Sequence, residues 1–325
     1  MHYLNKPNLG LVTCPISYGQ KKPGVSKGPD YLLKQGLKDY LSDNEHFELQ
    51  SYIQPIPESQ TLNVYETAFR NTLKSAQEND FTLILGGDHS QSFATVAALK
   101  KRYPDLIVLW VDAHADANTP QSSPTNNLHG MPLAGLLGHF KTPFQWLDRA
   151  TPCLNHTDIG YIGIRDLDDY ESTLIEDLSI AHFSAEQTQK YGIEFCTEKI
   201  LEQLDPERKR PIHLSFDVDS IDSRYMKATG LPVESGILPQ HLIKMAFKIN
   251  QNRNLVSMEV VEFHPDAATS EEDLGCARNV VVRFCKETLN FRFNALESQI
   301  SSQSPNQAHP KLSHDRRIHT DGIPL

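Results

Sequence analysis

Leu106-Ile107-Val108-Leu109-Trp110-Val111-Asp112-Ala113-His114-Ala115-Asp116 is an unbroken apolar run that ends in carboxylates and an imidazole at every second position. Such a run, rich in Ile, Val and Leu and lacking apolar–polar alternation, suits a parallel strand covered on both faces. The polar residues at its end put chemistry where that strand stops. Short runs rich in Ile, Val, Leu and Phe recur at 81–85, 158–164, 212–218 and 255–261. Between them lie amphipathic patterns at 63–79, 91–102, 194–204 and 238–250. A last helix is predicted over 271–289, with Thr269-Ser270 as capping residues. Strands alternating with helices predict an α/β protein of three layers, α/β/α, around a central and mostly parallel β-sheet.

The 325 residues are enough to bury a large core as one unit. Hydrophobic residues make up 39% and charged residues 22%, an ordinary balance for a globular chain. The formal net charge of −10 argues against nucleic acid as the main partner, because phosphate binding needs a basic face. Cys14, Cys153, Cys196, Cys276 and Cys285 are scattered with no CxxC pair, which reads as reduced thiols and predicts a cytoplasmic protein. The N-terminus lacks a basic stretch followed by an apolar one, so no signal peptide is expected. No apolar run is long enough to cross a membrane as a helix. There is no internal repeat and no composition break before residue 301. Residues 1–300 are therefore expected to form one catalytic domain. Residues 301–325, rich in Ser, Gln, Asn, Pro and His, read as a polar tail that is loosely ordered or orders against a neighbouring subunit.

Six residues stand at or just past predicted strand ends: His89, Asp112, His114, Asp116, Asp217 and Asp219. Open parallel sheets carry their sites at those ends. In an extended chain residues i, i+2 and i+4 point the same way, so Asp112, His114 and Asp116 can converge, as can Asp217 and Asp219. Four carboxylates and two imidazoles in one crevice carry too much charge to stay unpaired. Two divalent ions would neutralise them, and oxygen-rich ligation with some imidazole suits Mn2+ better than structural zinc. Co2+ or another divalent metal could use the same ligands.

The motifs Gly86-Gly87-Asp88-His89-Ser90, Asp112-Ala113-His114-Ala115-Asp116 and Ser215-Phe216-Asp217-Val218-Asp219-Ser220-Ile221-Asp222, in this order, resemble those of the ureohydrolases, the arginases and agmatinases. The resemblance runs from about residue 9 to 291 and implies an arginase-like fold. It implies two manganese ions, one held by His89, Asp112, Asp116 and Asp219, the other by His114, Asp112, Asp217 and Asp219. A hydroxide bridging them would be the nucleophile. Within the family the chain looks most like arginase, through Gly24-Val25, Gly28-Pro29 and the loop Asn118-Thr119-Pro120 to Asn127-Leu128-His129-Gly130. By that match Asn118, Thr125 and Asn127 face the α-carboxylate of the substrate, and Asp168 and Glu171 face its α-amino group. Asp116 moves the proton of the nucleophile to the leaving amine, His129 is the proton shuttle, and Glu262 pairs with the guanidinium. The implied reaction is hydrolysis of L-arginine to L-ornithine and urea. The implied assembly is a homotrimer or homohexamer that takes a small guanidino substrate.

The chain also departs from the family pattern. It has Asp222-Ser223 where Asp-Pro is usual, Lys227-Ala228-Thr229-Gly230 for Pro-Ala-Thr-Gly, Leu231 for a Thr near the guanidinium, and Ser235-Gly236 for Gly-Gly. These departures leave agmatine or guanidinobutyrate open as the substrate, and a non-catalytic metal-binding relative as a further alternative. His213, inside an apolar run, reads as a satisfied core imidazole. His264 reads as structural, and His309, His314 and His319 as exposed tail residues.

Overall fold

Eight strands form one sheet in the computed structural model, which describes residues 6–56, 61–147, 153–251 and 254–303. The strands are β1 (Asn8–Cys14), β2 (Glu48–Tyr52), β3 (Phe81–Gly86), β4 (Ile107–Val111), β5 (Ile159–Ile164), β6 (Ala181–Ser184), β7 (Pro211–Asp217) and β8 (Asn254–Val261). Their order is β2-β1-β3-β8-β7-β4-β5-β6, and every pairing is parallel. The α-helices are α1 (Gly28–Leu32), α2 (Lys38–Ser42), α3 (Asn63–Glu78), α4 (Ser92–Arg102), α5 (Pro132–Leu136), α6 (Asp169–Asp177), α7 (Ala185–Tyr191), α8 (Ile193–Leu204), α9 (Pro239–Asn250) and α10 (Glu271–Gln303).

The three layers follow from strand pleating. Ile107, Leu109 and Val111 of β4 join one core with Leu83, Leu214 and Met258 of neighbouring strands and with apolar residues of α8, α9 and α10. Val108 and Trp110 point the other way, into a second core under α3 and α4. Burying a side chain of this size contributes roughly 1.5–3 kcal/mol. Both faces are therefore dry, which is why β4 reads as continuously apolar, while β7 and β8 bury His213, Ser215, Ser257 and Glu259 within the sheet.

Three strands were not expected. β2 and β6 are the edge strands; β2 is half-exposed and polar, and β6 has four residues. β1 is buried but holds Gly10, which weakens a strand pattern. The glycine is there because α3 lies close: a Cβ at residue 10 would sit 2.0 Å from Ser75 Oγ. The last helix also exceeds its expected end at 289. Phe293 is buried against Phe47, ring centroids 4.7 Å apart, so the apolar face continues. The helix ends at Gln303, inside the segment read as tail. The rest of that segment, with His309, His314 and His319, lies outside the described residues. Among the described residues no helix is long and apolar enough to cross a membrane. All five cysteines are free thiols.

Parallel pairing puts all strand C-termini on one edge. The order β3-β8-β7-β4-β5 makes neighbours of the strands that precede His89, Glu262, Asp217, Asp112 and Arg165. Past β7 the chain makes a long loop before α9. Arg165 donates to the carbonyls of Asp219 (2.7 Å), Val233 (3.0 Å) and Glu234 (2.9 Å), which fastens this loop to the sheet end. Ser235 in the same loop is exposed and holds φ +62°, a left-handed conformation that a side chain disfavours. Ser235→Gly is expected to raise the stability by about 1 kcal/mol, measured as a higher urea midpoint at unchanged slope. A lower midpoint would show that the serine side chain makes a stabilising contact.

Candidate metal centre and active-site cavity

The strand ends turn sharply, and the turns do the converging. β4 stops at Val111 and the chain bends through Asp112–His114. His114 N donates to Asp112 Oδ1 (2.7 Å), and Ala113 N donates to Asp219 Oδ1 (3.2 Å). Asp116 then takes φ +50°. Asp217 ends β7, a 3-10 turn follows at Val218–Ser220, and Asp219 N donates to Asp217 Oδ1 (2.8 Å). The extended alternation expected for these two segments is therefore absent. Side-chain-to-backbone turns, which short polar side chains such as Asp favour, replace it. On β3 the chain leaves through Gly86-Gly87. A Cβ at Gly87 would lie 1.8 Å from Ile16 O, so only glycine fits there. His89 follows in a 3-10 turn that leads into α4.

Two clusters result. His89 Nδ1 faces Asp116 Oδ2 (2.9 Å), Asp112 Oδ2 (3.0 Å) and Asp217 Oδ2 (3.2 Å). His114 Nδ1 faces Asp219 Oδ2 (3.1 Å) and Asp112 Oδ1 (3.4 Å). This corrects the expected ligand split: Asp217, not Asp219, completes the His89 cluster. Asp217 is the last residue of its strand and lies level with His89, whereas the 3-10 turn carries Asp219 towards His114. Asp112 presents one oxygen to each cluster.

These residues fit a pair of divalent cations. His89 Nδ1 is fully buried, is surrounded by three carboxylate oxygens, and makes no hydrogen bond. Ligand atoms about 2.1 Å from one ion in neighbouring positions lie about 3 Å apart, which is the spacing seen here. The electrostatics agree. Burial, then the neighbouring Asp219 and Asp112, push the Asp217 carboxyl well above its ordinary range. Burial, then Asp112, lift Asp116 to about 6 and also raise Asp219. Burial pushes Asp112 up as well, but His114 and His89 outweigh it and hold that carboxyl low. Carboxylates crowded in this way are under strain that cations relieve. Trp110 braces the centre: its ring stacks on His89 at 4.1 Å between centroids, and its Nε1 donates to Asp112 Oδ2 (3.0 Å).

A cavity of about 610 Å³ opens over this centre. His114, Asp116, Asp217 and Asp219 form its floor, while His89 and Asp112 lie buried behind. Glu262, His129, Asn118, Thr125, Asn127, Asp168 and Glu171 all line it. Glu262 follows β8 with φ +62°, a conformation a bulky residue keeps only when its surroundings impose it. Glu262 Oε1 accepts from His89 N (2.9 Å) and lies 3.0 Å from His129 Nδ1. Burial would lower the His129 pKa, but the Glu262 carboxylate overrides it and lifts it to about 9. Further along the wall Asn118 Nδ2 donates to Asp168 Oδ2 (2.7 Å), and Thr125 Oγ1 accepts from Asn127 N (3.2 Å). Glu171 is more committed than expected: it accepts from Ala117 N (3.0 Å) and Asp168 N (3.1 Å) at the start of α6. Burial raises its pKa to about 7.

The sequence reading missed Gln20, whose Nε2 donates to Glu262 Oε2 (2.7 Å), and Lys22, whose Nζ donates to Gly230 O (2.7 Å). Both line the cavity. Their only signal was position just before the Gly24-Val25 segment. Asp166 was missed as well; its Oδ2 lies 3.5 Å from His114 Nε2. His213 is a buried core imidazole, 2.9 Å from Ser257 Oγ, as expected.

A parallel sheet with two clusters of buried carboxylate and imidazole at its C-terminal edge, under an acidic cavity, defines the class of two-metal hydrolases. A profile described as the Arginase family matches residues 7–285. The chain is 34% identical to an arginase of Saccharomyces cerevisiae over 303 residues, covering 82% of this chain and 90% of that one. It is 33% identical to arginase-1 of Sus scrofa, covering 85% and 90%. Its fold superimposes on an arginase of Entamoeba histolytica solved with L-ornithine, at TM-score 0.76 and 30% identity over 88% of this chain and 99% of that one. The chain belongs to the arginase family.

Proposed function

We propose that this chain is an arginase that hydrolyses L-arginine to L-ornithine and urea with two Mn2+ ions. The observation that carries the reading is the place of Glu262. Its carboxylate faces the cavity beside the metal centre, tied to the backbone of His89 and to His129. A carboxylate held there can pair with a planar guanidinium through two hydrogen bonds and so fix one orientation of its carbon. Gln20 holds the other oxygen of Glu262 and keeps the carboxylate plane from turning.

Held by His89, Asp112, Asp116, His114, Asp217 and Asp219, two divalent ions would supply a water acidic enough to give a nucleophile near neutral pH. The protein groups do the rest. Asp116, which lines the cavity together with Glu262 and His129, is placed to take a proton from that water and pass it to the departing amine. Water adds to the guanidinium carbon, and the bond from that carbon to the chain nitrogen breaks. His129, at about 9, carries a proton at neutral pH and relays it between solvent and the site. Asn118, Thr125, Asn127, Asp168 and Glu171 read the amino-acid end of the substrate, with Asp168 the more exposed acid for the α-amino group. Residues 1–300 serve as one catalytic domain, a reading that the single sheet supports. A cytoplasmic homotrimer or homohexamer fits the family, and light scattering tests the assembly.

The test is urea release by the Mn2+-loaded chain from L-arginine, agmatine and guanidinobutyrate. Arginine is expected to exceed the other two by at least about 100-fold in kcat/KM, the effect of two charged contacts to the amino-acid end. Faster release from agmatine would overturn the reading. Leu231, 47% exposed in the cavity wall, replaces a Thr usual in the family. Leu231→Thr is expected to raise kcat/KM for arginine about 2- to 10-fold, the worth of one hydrogen bond. A fall would mean that the leucine packs on the substrate instead.

A further inference from the structure

Ser215 and Glu259 take no part in the steps above, although both are fully buried behind the metal centre. Glu259 is a carboxylate without solvent. Thr95 Oγ1 (2.6 Å), Ser92 Oγ (2.7 Å), Gln91 Nε2 (3.1 Å) and Ser215 Oγ (2.7 Å) all donate to it. His213 Nε2 lies 3.2 Å from its Oε1. Ser215 Oγ is in turn 2.8 Å from His89 Nε2.

The donor inventory fixes the direction of this chain. An ionised carboxylate only accepts. The single hydroxyl proton of Ser215 is therefore given to Glu259, and the serine oxygen can only accept from His89. His89 Nε2 must then carry its hydrogen. A neutral imidazole has one N–H, so Nδ1 keeps its lone pair. Nδ1 is the atom that faces Asp112, Asp116 and Asp217. Trp110, stacked within 8° of the His89 plane, prevents the ring from turning over. Three of the donors to Glu259 come from residues 91–95, so the same carboxylate also anchors the segment that follows His89.

We propose that Glu259, acting through Ser215, sets the tautomer of His89 and makes it a ligand for the first of the two cations. The inference rests on the two-metal reading above. Ser215 and Glu259 are positioning residues, for they act only through His89. A serine in an apolar strand and a glutamate among valines gave no sign of this, because the partners are far apart in sequence.

The experiment titrates the metal-free full chain with Mn2+ by calorimetry. The native chain is expected to bind two ions. Ser215→Ala is expected to weaken one of the two by about 10- to 100-fold and leave the other within about threefold. Ser215→Thr, which restores the hydroxyl, is expected to recover most of the loss. Glu259→Gln places an amide donor in the network and is expected to weaken the same site; it is the variant read if Ser215→Ala fails to fold by circular dichroism. Unchanged affinity in the folded variant overturns the proposal, as does an equal loss at both sites with no recovery in Ser215→Thr. A native chain that binds fewer than two ions overturns the metal reading instead.

Discussion

Glu262→Gln is expected to bind both metal ions as the native chain does and to lose roughly 10²- to 10³-fold in kcat/KM for arginine. The carboxylate is not among the groups that face His89 Nδ1 or His114 Nδ1, so metal content should not move. What it loses is a charged partner for a planar cation, and with it the fixed approach of the guanidinium carbon. The pH profile adds a second readout. Glu262 is the main influence holding His129 up at about 9, against burial, which lowers it. With glutamine there, the proton on His129 is lost at lower pH, so the limb of the profile that depends on it should move to lower pH. Metal analysis with a pH–rate profile checks both points. Full activity in this variant would show that the guanidinium pairs elsewhere.

Asp217→Asn is expected to weaken metal binding at both positions by at least about 100-fold and to lower urea release by a similar factor or more. Asp217 closes the His89 cluster and sits one turn from Asp219 in the other. Asp219→Asn is expected to weaken chiefly the His114 position. The metal-free chain should respond in the opposite sense. Burial and the charges of Asp219 and Asp112 hold the Asp217 pKa well above its unfolded value. A raised carboxyl pKa costs stability above the unfolded pKa, and removing the charge recovers it. Asp217→Asn should therefore raise the melting temperature of the metal-free chain by a few degrees while abolishing metal stabilisation. A metal-free melting temperature that falls, with both ions still bound, would show that Asp217 has a structural role.

Much of this was legible in the sequence, and the reason is physical. Parallel strands buried on both faces are mostly apolar, so the runs ending at Leu85, Val111, Asp217 and Val261 stand out by their Ile, Val, Leu and Phe even where β7 and β8 carry a buried His213, Ser215, Ser257 and Glu259. Parallel pairing then puts whatever follows each run on one edge, and the six ligand candidates lie in three such places. Edge strands carry no such signal, which hid β2 and β6. The six candidates do lie together, but through turns and not pleated alternation, because Asp112 and Asp217 accept from the backbone two residues on and Asp219 accepts from Ala113 N. The expected place of Asp219 in the His89 cluster came from the family resemblance, and the 3-10 turn at Val218–Ser220 carries that residue to His114 instead. Gln20 and Asp166 were hidden because their partners, Glu262 and His114, are distant along the chain. The ordinary thiols and core imidazoles needed no site, and none of the five cysteines lines the cavity.

The central claim is that one chain holds two cations between His89 and His114 and that the pair, beneath Glu262, opens a guanidinium. The direct measurement is a titration of the metal-free chain with Mn2+ in which bound metal and urea release from L-arginine are followed in the same samples. Urea release is expected to rise chiefly as the second equivalent binds and to level off at two per chain. Full release at one equivalent, or two bound ions with no urea formed, would contradict the account.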